Sequence, residues 1–244
     1  MLDYISILAG GSCKFNCEFC VGNSIRENIT PHYSSKIKGF LECYADRTQL
    51  LSVSGDTSDP SLISETIFIP VEAKEYNKDI KVSIHTRDIY FTEKAMDYGY
   101  DKIVLSIDET LSENDYQTLV NYYYHYGYNI RLSFVLTSSN FWIIDEWKKD
   151  FPALFDMELT IRPDVFEKDE VFRKHIFLET FLGIDGDWQN IEQYKNEYGA
   201  IVLEKYPNVW YWDYNVTNKN LDVLYLFSNG DIKNNCKWEN LYEN

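Results

Sequence analysis

Cysteine is scarce in this chain, and long apolar runs are missing altogether. Five cysteines among 244 residues is an odd and modest number, so a disulfide framework is not expected, the more so as no secretory leader precedes them. No run approaches the roughly eighteen apolar residues of a membrane-crossing helix, and no lipidation signal is present; the expectation is a soluble, cytoplasmic protein without membrane attachment. Basic residues are outnumbered, with 23 Lys and Arg against 39 Asp and Glu and a formal charge of −16. Unassisted binding to a nucleic-acid polymer, which relies on Lys and Arg, is therefore not expected. A mononucleotide, a short peptide or a basic partner stays compatible with that charge. Histidine numbers only four, and His32, His125 and His175 have no ligand or catalytic partners at a telling spacing. Repeats of solenoid type and low-complexity linkers are also missing.

What the chain does have is core-forming material. Hydrophobic residues make up 45%, including twenty tyrosines and six tryptophans, most of them expected in packing. At this length an α/β barrel is commonly one domain. Tyr4–Ala9 reads as a strand leading into a glycine-flanked loop, followed by a helix over Ser34–Arg47 with Ile37, Phe40, Leu41 and Tyr44 on one side. Leu50–Ser54, Ile80–His85, Lys102–Ile107, Asn129–Leu136 and Met157–Ile161 read as further strands. Helices are expected between them over Pro60–Tyr76 (kinked or divided at Pro70), Thr92–Tyr98, Ser112–Tyr126 and Phe141–Lys149, with Gly127 as a stop signal. Six alternations of strand and helix imply a parallel sheet, since parallel neighbours need a crossover.

After Pro163 the rhythm changes. Glu167–Phe181 and Trp188–Tyr198 read as helical, and Val209–Tyr214 and Leu221–Phe227 as extended. Ser228-Asn229-Gly230-Asp231 has the turn chemistry to reverse the chain into Ile232. The expected organisation is a core over 1–165 and a C-terminal helical and β-hairpin extension over 166–244, packed on the same domain.

The chemistry concentrates in Cys13-Lys-Phe-Asn-Cys17-Glu-Phe-Cys20, where three thiols lie in one loop after the first strand. Grouped thiolates select an iron–sulfur cluster or zinc, and a complete site of either kind normally takes four ligands. A zinc site would have to recruit Cys43, His32 or Cys236, none at the usual paired spacing. A cluster with one iron open to another molecule is the alternative, and an open iron implies catalysis.

This spacing, with Phe19 just before the third cysteine, resembles the signature of the radical S-adenosylmethionine (SAM) superfamily. The resemblance covers roughly residues 4 to 162 and implies a partial (β/α)6 TIM-type barrel with a C-terminal extension. It implies that Cys13, Cys17 and Cys20 hold one oxygen-sensitive [4Fe–4S] cluster whose fourth iron is chelated by SAM. Reductive cleavage of SAM would then give a 5′-deoxyadenosyl radical that abstracts hydrogen from a substrate, the protein supplying ligation, orientation and shielding.

Strand ends carry further family-like residues. Ser54-Gly55-Asp56-Thr57-Ser58-Asp59-Pro60 stands where the family has a Gly-Gly-Glu-Pro stretch receiving the SAM ammonium; an acidic side chain suits that role, and Ser54, Gly55, Asp56 and Thr57 are the candidates. The same residues also read as a turn and helix start, Asp59-Pro60 being a good cap-and-start pair. His85-Thr86-Arg87 is similar to the His-Thr-Asn ending that approaches SAM, which nominates Thr86. Leu105-Ser106-Ile107-Asp108 resembles an ending whose serine contacts the SAM ribose or carboxylate. The fifth strand, with Arg131 and Ser133, looks like that of molybdenum-cofactor GTP-cyclising and viperin-like enzymes, where a basic residue near the strand start binds the SAM carboxylate. Phe19 would pack around adenine and ribose. Arg162 would hold a substrate carboxylate or phosphate, or form a rim salt bridge with Asp164 or Glu158. Cys236 is a lone thiol of the tail, so a second cluster is not expected.

The resemblance points to a small-molecule or nucleotide-type substrate and to nucleotide modification, with a one-electron donor such as flavodoxin or ferredoxin. Its rivals are a glycyl-radical-enzyme activase, a peptide-modifying radical SAM enzyme and, outside catalysis, a zinc-binding interaction protein.

Overall fold

The computed structural model describes residues 1–15, 17, 33–137, 139–163, 201–202, 208–211 and 222–234. The chain forms two compact units, one made of Met1–Leu105 with Leu221–Asn244 and the other of Ser106–Asn220. The tail falls in the first unit because its described strands return to the first strand.

In the first unit β1 (Tyr4–Ala9), β2 (Leu50–Gly55), β3 (Lys81–Thr86) and β4 (Lys102–Ile107, its first four residues in this unit) run parallel in sequence order. Their apolar residues explain why. Ile5, Ile7, Leu8 and Ala9 are all buried, on both faces of the pleat, as a parallel sheet covered on two sides requires. α1 (Tyr33–Tyr44) buries Tyr33, Ile37, Phe40 and Leu41, a stripe at the helical period. Tyr33 heads this stripe, and Tyr44, expected on it, is only half-buried.

The expected helix from Pro60 to Tyr76 is instead two short 3₁₀ turns, Pro60–Leu62 and Ser64–Phe68, followed by α2 (Ile69–Tyr76). The expected run is thus divided at Pro70, which sits in the first turn of α2. In the first turn its missing N–H has no partner to lose. α3 (Thr92–Asp97) follows β3 as expected.

Asp101 ties the amino ends of β3 and β4 together, accepting from the Val82 amide at 3.0 Å and pairing with Lys81 at 3.1 Å and Lys74 at 3.2 Å. Burial raises the affinity of this carboxyl for a proton, but the Val82 amide and the two ammonium groups outweigh it and hold the carboxyl below its usual value. A lowered folded value means that the stabilisation is complete above the unfolded value, about 3.9, and disappears as pH falls through the folded one. Asp101→Asn is expected to lower stability at neutral pH and to flatten its acid limb below about pH 4, measured by urea unfolding at several pH values. An acid limb as steep as that of the unaltered protein would contradict this.

The second unit contains α4 (Glu113–Tyr126), β5 (Ile130–Leu136), α5 (Ile143–Asp150), β6 (Glu158–Pro163), β7 (Ile201–Val202) and β8 (Val209–Tyr211). α4 begins with a capping box, in which the Ser112 side chain accepts from the Asp115 amide while the Asp115 carboxylate accepts from the Ser112 amide, and it ends at Gly127 with φ +59°. β5, β6 and β8 are parallel neighbours, and β7 lies antiparallel to β8. Fully buried Phe134 of β5 meets Trp147 of α5 edge-on, with ring centroids 4.9 Å apart.

The last described strands, β9 (Val223–Leu226) and β10 (Ile232–Asn234), form an antiparallel hairpin about Gly230, whose φ is +87°. β9 also pairs parallel with β1, Tyr4 through Ile7 opposite Val223 through Leu226. Leu8, Val223, Tyr225 and Phe227 make one apolar cluster there. Among the described residues no helix is long and apolar enough to cross a membrane. The expected helices Glu167–Phe181 and Trp188–Tyr198, the end of the Val209–Tyr214 run and Cys236 lie outside the described residues.

Candidate functional site

Three strand ends of the first unit and the turn of its terminal hairpin meet around the cysteine loop. β1 delivers the chain at Gly10-Gly11-Ser12-Cys13, and two consecutive glycines let it leave close to its neighbours. A Cβ on Gly10 would lie 2.1 Å from that of Ser228, so only glycine accommodates the hairpin turn at this point. The loop is then tied to the segment after β2. The Gly11 amide donates to Thr57 Oγ1 at 3.0 Å, the Ser58 hydroxyl donates to the Ser12 carbonyl at 3.1 Å, and the amides of Asp56 and Ser58 both donate to the Ala9 carbonyl. Thr57, expected to touch SAM, thus also spends its hydroxyl oxygen on holding the cysteine loop.

Asp56 is buried in this arrangement. Its Oδ2 accepts from the Ser228 hydroxyl at 2.7 Å and from the Ser228 amide at 3.4 Å. A carboxylate so placed, at the carboxyl end of β2, is an anion already fixed in orientation. Nearby, buried Tyr33 donates to the Leu8 carbonyl; burial and then the charges of Asp56 and Glu65 push its phenol well above the usual range, so it stays protonated.

Asp59 is the joint between β2 and β3. Its Oδ1 accepts from the Ser61 amide at 2.9 Å, the cap role expected of Asp59-Pro60, and also from the Thr86 hydroxyl at 2.6 Å. Its Oδ2 accepts from the Arg87 amide at 2.7 Å. Thr86 is therefore at the site, buried and oriented by Asp59. Arg87 sends its guanidinium to the cysteine loop, where Nη1 donates to Cys17 Sγ at 2.8 Å and the group lies 5.9 Å from the Phe15 ring centroid. Lys14 pairs with Asp88 at 3.4 Å but is 59% exposed.

Of the expected metal ligands, Cys13 is exposed and Cys17 half-buried; Cys20 lies outside the described residues, as does Phe19. The donor chemistry suits a thiolate-ligated cluster, since Cys13 and Cys17 follow the end of β1 in a partly exposed loop and the Arg87 guanidinium donates to Cys17 Sγ. Cys43, the described member of the zinc alternative, is an exposed residue of α1. Among the described residues no three His, Cys, Asp or Glu side chains gather as a metal site.

The remaining expected residues belong to the second unit. Ser106 is half-buried in the last part of β4, and Asp108, two residues on, accepts from the Thr110 amide and hydroxyl. Ser133 is buried in the middle of β5. Arg131 is the second residue of β5, in an ion pair with Glu158 and 5.3 Å from the Trp210 ring centroid. At about 3.3 Å per residue, it lies roughly 17 Å along the strand from Leu136. Glu158, offered as a partner for Arg162, is thus engaged by Arg131. Arg162 is half-buried near the carboxyl end of β6, opposite Val135.

Sequence reasoning passed over Arg87, Ser58 and Ser228, and gave Asp59 only a capping role. A signal existed for Arg87 alone, since it stands where the family ending His-Thr-Asn has an amide.

No family model and no curated protein matches this sequence. Solved structures that it resembles include Streptococcus suis SuiB bound to S-adenosylmethionine, with a TM-score of 0.60 and 14% identity over 96% of this chain and 58% of that one. SuiB bound to its precursor peptide SuiA gives 0.60 and 16% identity, over 100% of this chain and 61% of SuiB. This chain thus spans about three-fifths of the SuiB chain. At that identity the likeness is one of fold. The α/β class, with parallel strands, intervening helices and a terminal hairpin, is that of the partial TIM-type barrel expected from the sequence.

Proposed function

We propose that this protein is a radical SAM enzyme. Cys13, Cys17 and Cys20 would hold one [4Fe–4S] cluster, with SAM as the second bound group. The observation that carries this reading is the cysteine loop leaving β1 next to a buried, oriented Asp56 carboxylate, with Cys17 held by Arg87. When bound, the cluster and SAM supply one-electron cleavage of a C–S bond and a radical able to remove hydrogen from a substrate.

The chain's own residues do the binding. Asp56 receives the SAM ammonium, while Ser54, Gly55, Thr57 and Thr86 shape the surrounding surface. The resemblance gives Phe19, which lies outside the described residues, a place around the adenine and ribose. The resemblance gives Ser106 a contact with the SAM ribose or carboxylate, makes Ser133 a further cofactor-binding candidate, and gives Arg162 an anionic group of the substrate. Arg131 would have to leave Glu158 before reaching a SAM carboxylate. Electrons come from an external one-electron donor of the flavodoxin or ferredoxin type.

The substrate reading is a small molecule or nucleotide, on the likeness of the fourth and fifth strands to the GTP-cyclising and viperin-like enzymes. A peptide substrate is the second reading, favoured by the fold likeness to SuiB with its precursor peptide bound.

The test is anaerobic reconstitution with iron and sulfide, reduction in the presence of SAM, and detection of 5′-deoxyadenosine. Brown protein with about four irons per chain is expected. Asp56→Asn is expected to weaken SAM binding about tenfold, the worth of one charge-assisted hydrogen bond, with the iron content retained. Colourless protein holding tetrahedral zinc would overturn the reading. Stimulation of 5′-deoxyadenosine formation by nucleotides or by peptides separates the two substrate classes.

A further inference from the structure

We infer that Arg87 tunes the reduction potential of the cluster held by Cys17. The inference rests on the iron–sulfur reading of the cysteine loop.

Its first support is geometric. The guanidinium does not reach Cys17 from a loose surface side chain. Arg87 begins at the end of β3, where its amide donates to Asp59 Oδ2 at 2.7 Å. Asp59 is itself fixed, since Oδ1 accepts from both the Thr86 hydroxyl and the Ser61 amide. From this anchored start the side chain passes Phe15 and donates to Cys17 Sγ at 2.8 Å. Two elements far apart in sequence, the loop after β1 and the end of β3, are thereby joined at one ligand sulfur.

Its second support is electrostatic. Reduction adds one electron, from the external donor, to a centre already rich in negative charge. A cation and an N–H donor at a ligand sulfur stabilise the reduced form more than the oxidised one, which raises the potential. Lys14, the other cation of the loop, is mostly exposed and pairs with Asp88, so water and a carboxylate screen it. Arg87 is thus a positioning residue acting through Cys17, and its partner Asp59 acts one step further out.

The experiment is a redox titration of anaerobically reconstituted full-length protein, followed by electron paramagnetic resonance, on the unaltered chain, Arg87→Gln and Arg87→Lys. Circular dichroism checks folding, and iron analysis checks loading. Arg87→Gln is expected to load iron and titrate at a more negative potential, with faster loss of iron to a chelator. Arg87→Lys, which keeps the charge but lacks the fork, is expected to fall between. If Arg87→Gln is folded but empty while Arg87→Lys loads, the need for a cation at Cys17 is upheld. An unchanged potential in fully loaded Arg87→Gln overturns the inference. Folded but empty protein for both variants also overturns it, since Arg87 would then serve loop architecture alone. An unaltered chain that takes up no iron would instead sink the functional reading on which this rests.

Discussion

Cys17→Ala protein, reconstituted anaerobically, is expected to stay colourless, to hold only background iron and to form no 5′-deoxyadenosine from SAM. The effect is all-or-none because three thiolates from one loop leave no spare donor for a cubane cluster. Cys17 is also the described cysteine that receives the Arg87 guanidinium, so its loss removes a proposed ligand and unfastens the loop from the end of β3 together. The fold is expected to survive, since Cys17 is half-buried and the sheet beneath it is built from Ile5, Ile7, Val53 and Ile84, all fully buried. Cys43→Ala, an exposed change on α1, is the matched control and is expected to keep full iron. Iron and sulfide analysis with product detection checks both. A Cys17→Ala protein that still cleaves SAM would mean that the proposed ligand set is misassigned.

The second large effect is expected at Gly10. An alanine there would bring its Cβ to 2.1 Å from Ser228 Cβ and 2.6 Å from Ser228 Oγ, distances that no packed pair sustains. The hairpin turn must retreat, and with it goes the hydrogen bond from Ser228 to Asp56. Overpacking together with a lost bond to a charged group gives a destabilisation of about 2–4 kcal/mol. SAM affinity is expected to fall as well, because Asp56 loses its fixed orientation. Adding Ser228→Gly removes the colliding atoms, so the double variant Gly10→Ala/Ser228→Gly is expected to regain part of the stability but not the affinity. Urea unfolding of the four members of this cycle, with SAM titrations, separates collision from lost hydrogen bond. Equal stability of Gly10→Ala and the unaltered chain would show that the approach is looser than described.

Much of the fold was legible because its signals are local. The Ser112–Asp115 box and Gly127 mark the two ends of α4, and Ser228-Asn229-Gly230-Asp231 turns the chain where turn chemistry says it should. The division at Pro70 was legible from a proline inside an apolar pattern, but the two 3₁₀ turns before it were not, because their local sequence fits a regular helix equally well. The partner of β9 was not legible at all. Val223, Tyr225 and Phe227 announce a strand, but nothing in their spacing says that it lies beside β1. The site divides in the same way. The cysteine loop and the acidic run after β2 were visible from residue type and spacing. The bonds Arg87–Cys17 and Ser228–Asp56 join residues 70 and 172 positions apart, and no local pattern encodes such pairs.

That last pairing bears on biosynthesis. β9, which pairs with β1, is made more than two hundred residues after it. Until then the β1 edge that β9 covers is bare, of the kind that invites pairing with other chains. Asp56 meanwhile waits for Ser228. Maturation with iron and sulfur before translation reaches the terminal hairpin would act on a loop that has not yet received its final fastening.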